Sequence, residues 1–182
     1  KKEFVPPQDE GRFLVRLQTP VGSSIALTDQ LVKQAEEYLM NRPDVEKYYA
    51  AIGGFGGGEV NTAMMFVTLK PFNQRPVVPP AKRRLTQQDL MALIRTEFNK
   101  LPGVERAGVQ DLSLSGFSAQ RGFPVEFTLR GPNWDQLAGL STTLMAKMKG
   151  TGLMVDIDTD YQLGMPEIRV VPDREKAAAH GV

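Results

Sequence analysis

The chain offers few side chains able to hold a metal or carry a reaction, and their spacing limits each one. His180 is the only histidine and there is no cysteine, so neither a thiolate metal site, a disulfide nor a Ser-His pair can be assembled, and His180 is expected at the surface. Methionine thioethers suit soft ions of the Cu(I) type, and Met64-Met65 and Met145/Met148 are the close pairs. Met145 and Met148 stand at helical spacing, where filling a core is the expected role. Asp156, Asp158 and Asp160 alternate and would share one strand face, but calcium needs further oxygen ligands and a loop, so a solvated face is expected. Trp134 opens a helix and is placed to staple over its lobe, with an exposed contact as the alternative. No set of residues able to run a reaction is legible. No catalytic residue, metal ligand or cofactor is assigned.

The sharpest local feature is Gly53-Gly54-Phe55-Gly56-Gly57-Gly58, five glycines around one aromatic. No Gly-Lys-Ser/Thr follows, as a phosphate-binding loop would require, and a strand rather than a helix comes next, unlike a dinucleotide fingerprint. Glycine changes conformation at little steric cost, so the run reads either as a mobile gate carrying Phe55 or as a floppy hairpin loop. A lone large apolar side chain in a solvated loop gains little unless it covers something, which favours the gate.

Composition bounds the elements that must position these residues. Hydrophobic residues make up 41% of the chain and charged ones 24%, enough for one or two ordinary globular cores. Net charge is +1 with both signs dispersed, unlike a nucleic-acid groove. The basic cluster Lys82-Arg83-Arg84 follows the proline-rich Arg75-Pro76-Val77-Val78-Pro79-Pro80 and reads as a solvated linker. Apolar runs fall well short of the ~18 residues of a membrane span. The start at Lys1-Lys2-Glu3, without methionine, suggests a fragment or processed product.

Two stretches repeat one rhythm of strand, proline turn and amphipathic helix. In the first, Arg12 to Gln18 is a strand, and Ser23 or Ser24 caps a helix whose buried stripe is Leu27, Leu31, Ala35 and Tyr38 or Leu39. Asn41-Arg42-Pro43 ends it. Val45 to Ile52 and Asn61 to Leu69 are strands, the latter alternating Ala63, Met65, Val67 and Leu69 against Met64, Phe66 and Thr68. Thr86 caps a second helix with Asp89 at capping-box spacing and a stripe of Leu90, Ile94, Phe98 and Leu101. Val104 to Asp111 supplies a fourth strand. The order βαββαβ is the ferredoxin-like unit. The second stretch has a strand at Pro124 to Arg130, a helix capped near Asn133 with Leu137, Leu140, Leu144 and Met148 as its stripe, strands at Leu153 to Asp160 and Glu167 to Val171, and a last helix from Pro172-Asp173. The fold class is therefore α+β: a ferredoxin-like subdomain over 1–118, then an incomplete β-α-β subdomain over 119–182. The missing strand would leave a sheet edge unpaired, so the polypeptide is expected to continue past Val182.

Several separated motifs resemble the second periplasmic loop of resistance–nodulation–division (RND) multidrug efflux transporters. They are Phe4-Val5-Pro6-Pro7-Gln8-Asp9-Glu10-Gly11, Gln18-Thr19-Pro20-Val21-Gly22-Ser23-Ser24, Asn61-Thr62 with Phe66-Val67-Thr68-Leu69-Lys70, and Asp173-Arg174-Glu175-Lys176-Ala177 with Gly181-Val182. The resemblance spans essentially the whole chain in order. It implies that the two lobes are porter subdomains of a proton-driven pump in the Gram-negative inner membrane. Their cleft would pass amphiphilic, drug-like substrates beyond a glycine-rich switch loop into an aromatic pocket. On this chain the loop is Gly53 to Gly58 with Phe55, and Met64, Phe66, Leu114 and Phe117 correspond to cleft or pocket positions.

The resemblance further implies a homotrimer, a periplasmic adaptor, an outer-membrane channel and flanking membrane helices that hold the energy-coupling carboxylates. There are departures from the family's drug pumps. The loop is shorter, has one phenylalanine where they carry two and lacks their arginine, and Gly116 falls near one of their acidic positions. A narrower or different substrate range is therefore expected. Two alternatives stand beside this: a heavy-metal (Cu/Ag) exporter of the same superfamily, and a stand-alone ferredoxin-like module binding a small metabolite.

Overall fold

Strict alternation along Thr62–Leu69 makes this segment the sheet's organising strand. Ala63, Met65, Val67 and Leu69 are buried and the residues between them half-buried. The computed structural model describes residues 8–53, 58–78, 83–113, 125–161, 171, 174–179 and 181. Leu114, Phe117 and Phe55, with Gly54, Gly56, Gly57 and His180, lie outside them.

The elements are β1 (Arg12–Gln18), α1 (Ile25–Met40), β2 (Val45–Ile52), β3 (Thr62–Leu69), β4 (Val77–Val78), β5 (Arg83–Arg84), α2 (Gln87–Phe98), β6 (Arg106–Asp111), α3 (Trp134–Gly150) and α4 (Arg174–Ala179), in the expected βαββαβ order up to β6 apart from the short β4–β5 pair. The main sheet runs β2-β3-β1-β6, every pair antiparallel, which is the ferredoxin-like arrangement. The protein is thus α+β. Helices α1 and α2 pack on one face, where Phe13, Val15, Leu17, Met65, Val67 and Val109 meet Leu39, Leu90, Ile94 and Phe98 in one core. Tyr38 meets Phe98 edge-on at 5.5 Å.

The caps form as their chemistry demands. The Ser24 hydroxyl accepts from the Leu27 N–H, and Thr86 with Asp89 makes a reciprocal capping box. The α1 stripe shifts by one residue from its expected course. Leu27 is 40% exposed, and Thr28 is buried instead because its hydroxyl meets that of Thr19 at 3.3 Å. Along α3, Leu140 is 61% exposed and Ala138 is buried.

The strands predicted at 124–130 and 153–160 do not form as paired strands among the described residues. Asp156 has φ 56°, a left-handed conformation that interrupts the second of them, and no neighbouring described segment offers either a ladder.

The linker that starts at Arg75 is another departure. Arg75 is 2% exposed and is the largest fully buried side chain among the described residues. Its Nη1 and Nη2 grip the two Asp9 oxygens at 2.7 Å, its Nε donates to the Lys70 carbonyl at 2.8 Å and Nη1 also reaches the Leu85 carbonyl at 3.2 Å. Asp9 additionally accepts the Gln87 N–H at 2.9 Å. One planar guanidinium thereby ties the approach to β1, the exit from β3 and the start of α2. The Arg75 hydrogen bond, with the Gln87 N–H, holds the Asp9 carboxyl below its ordinary range against the opposing effect of burial. Arg83 and Arg84 are also less free than a solvated linker. They pair with β4, and Arg83 forks onto Asp89 at 2.5 and 2.9 Å.

Candidate functional site

Met64 and Phe66 share the sheet face turned away from α1 and α2, both half-buried, while Met65 points into the core at 0% exposure. Successive strand residues face opposite ways, so Met64 and Met65 cannot converge on one ion. In register, Phe66 stands between Tyr49 of β2 and Leu14 of β1, and Met64 between Ala51 and Arg16. Continuing across the sheet, Leu14 faces Gln110 and Arg16 faces Gly108. The result is an apolar platform of Leu14, Tyr49, Met64 and Phe66, with Arg16 beside Met64 in register.

The glycine loop leaves the sheet at the end nearest Met64. Its neck is closed by backbone: the Gly53 N–H donates to the Thr62 carbonyl at 2.8 Å, and the Gly58 N–H to the Gly53 carbonyl at 2.7 Å. Gly53 has φ +74°, and a Cβ on Gly58 would stand 2.5 Å from the Gly53 oxygen. Both ends of the neck therefore need glycine. Of the residues expected at the site, Met64, Phe66, Gly53 and Gly58 are described, and Met64, Phe66 and the neck lie on the β2–β3 hairpin.

A separate cavity of about 610 Å³ lies against α3 and touches none of the expected site residues. Phe127, Leu137, Leu144, Met145, Met148 and Met154 are among its lining. Trp134 does not staple over the lobe. It is 68% exposed and stacks on Tyr161 with centroids 5.4 Å apart, and both rings belong to this lining.

Two of the aspartates expected on a solvated face, Asp156 and Asp158, instead join this half to the sheet and α2. Asp156 forms an ion pair with Arg95 of α2, and Asp158 pairs with Arg106 of β6 at 2.6 Å. β6 is an edge strand, and its outward backbone groups are met by side chains. Asn99 takes the Ala107 N–H at 2.9 Å and donates to the Ala107 carbonyl at 2.8 Å. Asp156 takes the Val109 N–H at 3.1 Å, and Arg95 donates to the Val109 carbonyl at 2.8 Å. An edge blunted this way cannot template another strand at those residues. Arg16, Tyr49 and Leu14 were missed by sequence reasoning. The period-two alternation of β1 would have found Leu14 and Arg16 had it been extended across the register.

A split βαββαβ antiparallel sheet with its helices packed on one face is the architecture of a porter-like subdomain. The profile of the AcrB/AcrD/AcrF family matches residues 1–182, and the chain belongs to that family of RND transporters, a transporter family rather than an enzyme class. Among solved structures, two crystal forms of a heavy metal efflux pump superpose with TM-scores of 0.76 and 0.77 at 21% identity. The matches cover 97% and 98% of this chain but only 18% and 19% of those chains, so at this identity they establish the shared fold alone. No helix among the described residues is long and apolar enough to cross a membrane.

Proposed function

We propose that this chain is the periplasmic porter portion of a proton-driven RND exporter of amphiphilic compounds. Residues 1–118 would form one porter subdomain and 119–182 the first half of the next, with substrate passing between them. The observation that carries this reading is the placement of Phe66 and Met64 on the helix-averted sheet face beside the neck of the glycine loop. Phe55, Leu114 and Phe117 complete the proposed lining, and residues 53–58 are the switch loop. Apolar contact across an adaptable surface suits substrates that share amphiphilicity rather than a hydrogen-bond pattern. The intact pump would be a trimer in the inner membrane of a Gram-negative cell. It would work with a periplasmic adaptor and an outer-membrane channel, and alternate access by hinge-type closure of the lobes.

The test is drug resistance conferred by the full-length transporter with Phe55→Ala and, separately, Gly56→Pro. Both variants should lower resistance at unchanged expression. Unchanged resistance in both would remove the gate.

A heavy-metal exporter is the second reading. It is favoured by the subject of the two similar structures and by Met145, Met148 and Met154 lining one cavity. Ag(I) titration of the transporter against a variant with all three changed to leucine separates the readings, since only a metal site loses affinity.

A further inference from the structure

We infer that the pairs Arg95–Asp156 and Arg106–Asp158 act as one releasable latch that holds the two halves of the chain together, and that lobe opening during export runs through its release. This deepens the export reading by naming a device that controls the cleft, and it rests on that reading. Both acids stand on one short segment after α3, two residues apart, while their arginines stand on separate elements of the first half, Arg95 on α2 and Arg106 on β6. Between the acids, the Ile157 carbonyl accepts from Arg106 Nη1 at 3.2 Å. Two anchor points on one backbone segment fix orientation as well as distance, so the pairs form and break together.

The kind of bond makes this joint reversible. The core that the sheet forms with α1 and α2 takes in no described residue from 125–161, and Leu153 and Val155 beside the acids are exposed. Both ion pairs keep some access to solvent, so water replaces a lost partner at modest cost, unlike the case of a fully buried pair. Polar joints of this sort between domains permit relative motion. Each arginine also keeps a bond within its own half: Arg95 to the Val109 carbonyl and Arg106 to the Gln18 side-chain oxygen. The arginines therefore stay in place when the acids leave and are ready to receive them again. The left-handed φ of 56° at Asp156 takes its segment off the extended course that the sequence favours, and release lets it return. A hinge motion that parts the halves must cut these bonds, because one partner sits on each side.

The test reads single-residue amide exchange in the full-length transporter at two outward N–H groups of β6. Val109 donates across the joint to Asp156, whereas Ala107 donates to Asn99 within the first half and serves as the control. Asp158→Ala removes the second pair without touching Asp156. It should speed exchange at Val109 roughly tenfold and leave Ala107 unchanged. Asp158→Glu should keep Val109 protected. Unchanged Val109 exchange in Asp158→Ala would show two independent pairs and overturn the latch. Export of ethidium and dodecyl sulfate, a cationic and an anionic amphiphile, is measured on the same variants in an efflux-deficient Gram-negative host. Asp158→Ala should lower export of both, because the halves no longer close on the substrate, and Asp158→Glu should preserve it. Faster Val109 exchange with unchanged export would overturn the latch's part in transport. Export of neither compound by the unmodified transporter would instead overturn the amphiphile reading, while the exchange result still decides whether the two pairs form one latch.

Discussion

Arg95 and Asp156, 61 residues apart in sequence, meet as a forked ion pair. Arg95 Nε lies 2.9 Å from both carboxylate oxygens, and Nη2 lies 2.7 Å from Oδ2. The pair does two jobs at once. It fastens the segment after α3 to α2, and it delivers one donor and one acceptor to the Val109 backbone on the open edge of β6. A left-handed Asp156 is tolerated because aspartate is among the residues that adopt this conformation most readily, and the contacts around it over-determine its position.

Asp156→Ala and Arg95→Ala should each destabilise the chain by about 1–3 kcal/mol, the range for losing hydrogen bonds to a charged group. Urea unfolding measures this. The double variant should cost clearly less than the sum of the singles, because the two residues share one interaction. Additive effects would mean that the pair is not coupled.

Arg75 should tolerate even less. Replacing it by alanine strands the Asp9 carboxylate and unpairs the Lys70 and Leu85 carbonyls, with an expected loss of about 3–5 kcal/mol. Arg75→Lys should recover only a small part, since an ammonium cannot make the two parallel bonds to Asp9. Thermal melts of the two variants give the comparison.

Gly58→Ala places a methyl group 2.5 Å from the Gly53 carbonyl, so the neck of the loop must open. A cost of about 1–3 kcal/mol is expected, and faster amide exchange should be confined to the neck, seen at the Gly53 and Gly58 N–H groups. Gly139→Ala is the control. It lies on α3 with nothing within 4 Å of the added carbon and should be neutral or slightly stabilising.

Acid should loosen the same framework. The Arg75 hydrogen bond lowers Asp9, and the Arg83 hydrogen bond lowers Asp89, from the ordinary 3.8. Folded carboxyls with depressed pKa bind fewer protons than unfolded ones. Their contribution is therefore complete above about pH 5 and fades as pH falls through 4 and below. Denaturant midpoints should drop across that window, and Asp9→Asn should flatten the drop while lowering stability at neutral pH.

Local spacing already determined much of this protein. The order of strands and helices from Arg12 to Asp111, the caps at Ser24, Thr86 and Asn133, and the division of β3 into Met65-type and Phe66-type faces all follow from periodicity and hydrogen-bonding rules. Those rules act over a few residues, so a single chain displays them. Tertiary structure alone decided the register between neighbouring strands. Register places Arg16 next to Met64. It also turned a linker arginine into a fully buried side chain, through a partner 66 residues away, and turned aspartates read as solvated into a joint and an edge guard. Such pairings depend on which charges the folded backbone brings within a few ångströms, and no local pattern encodes that distance.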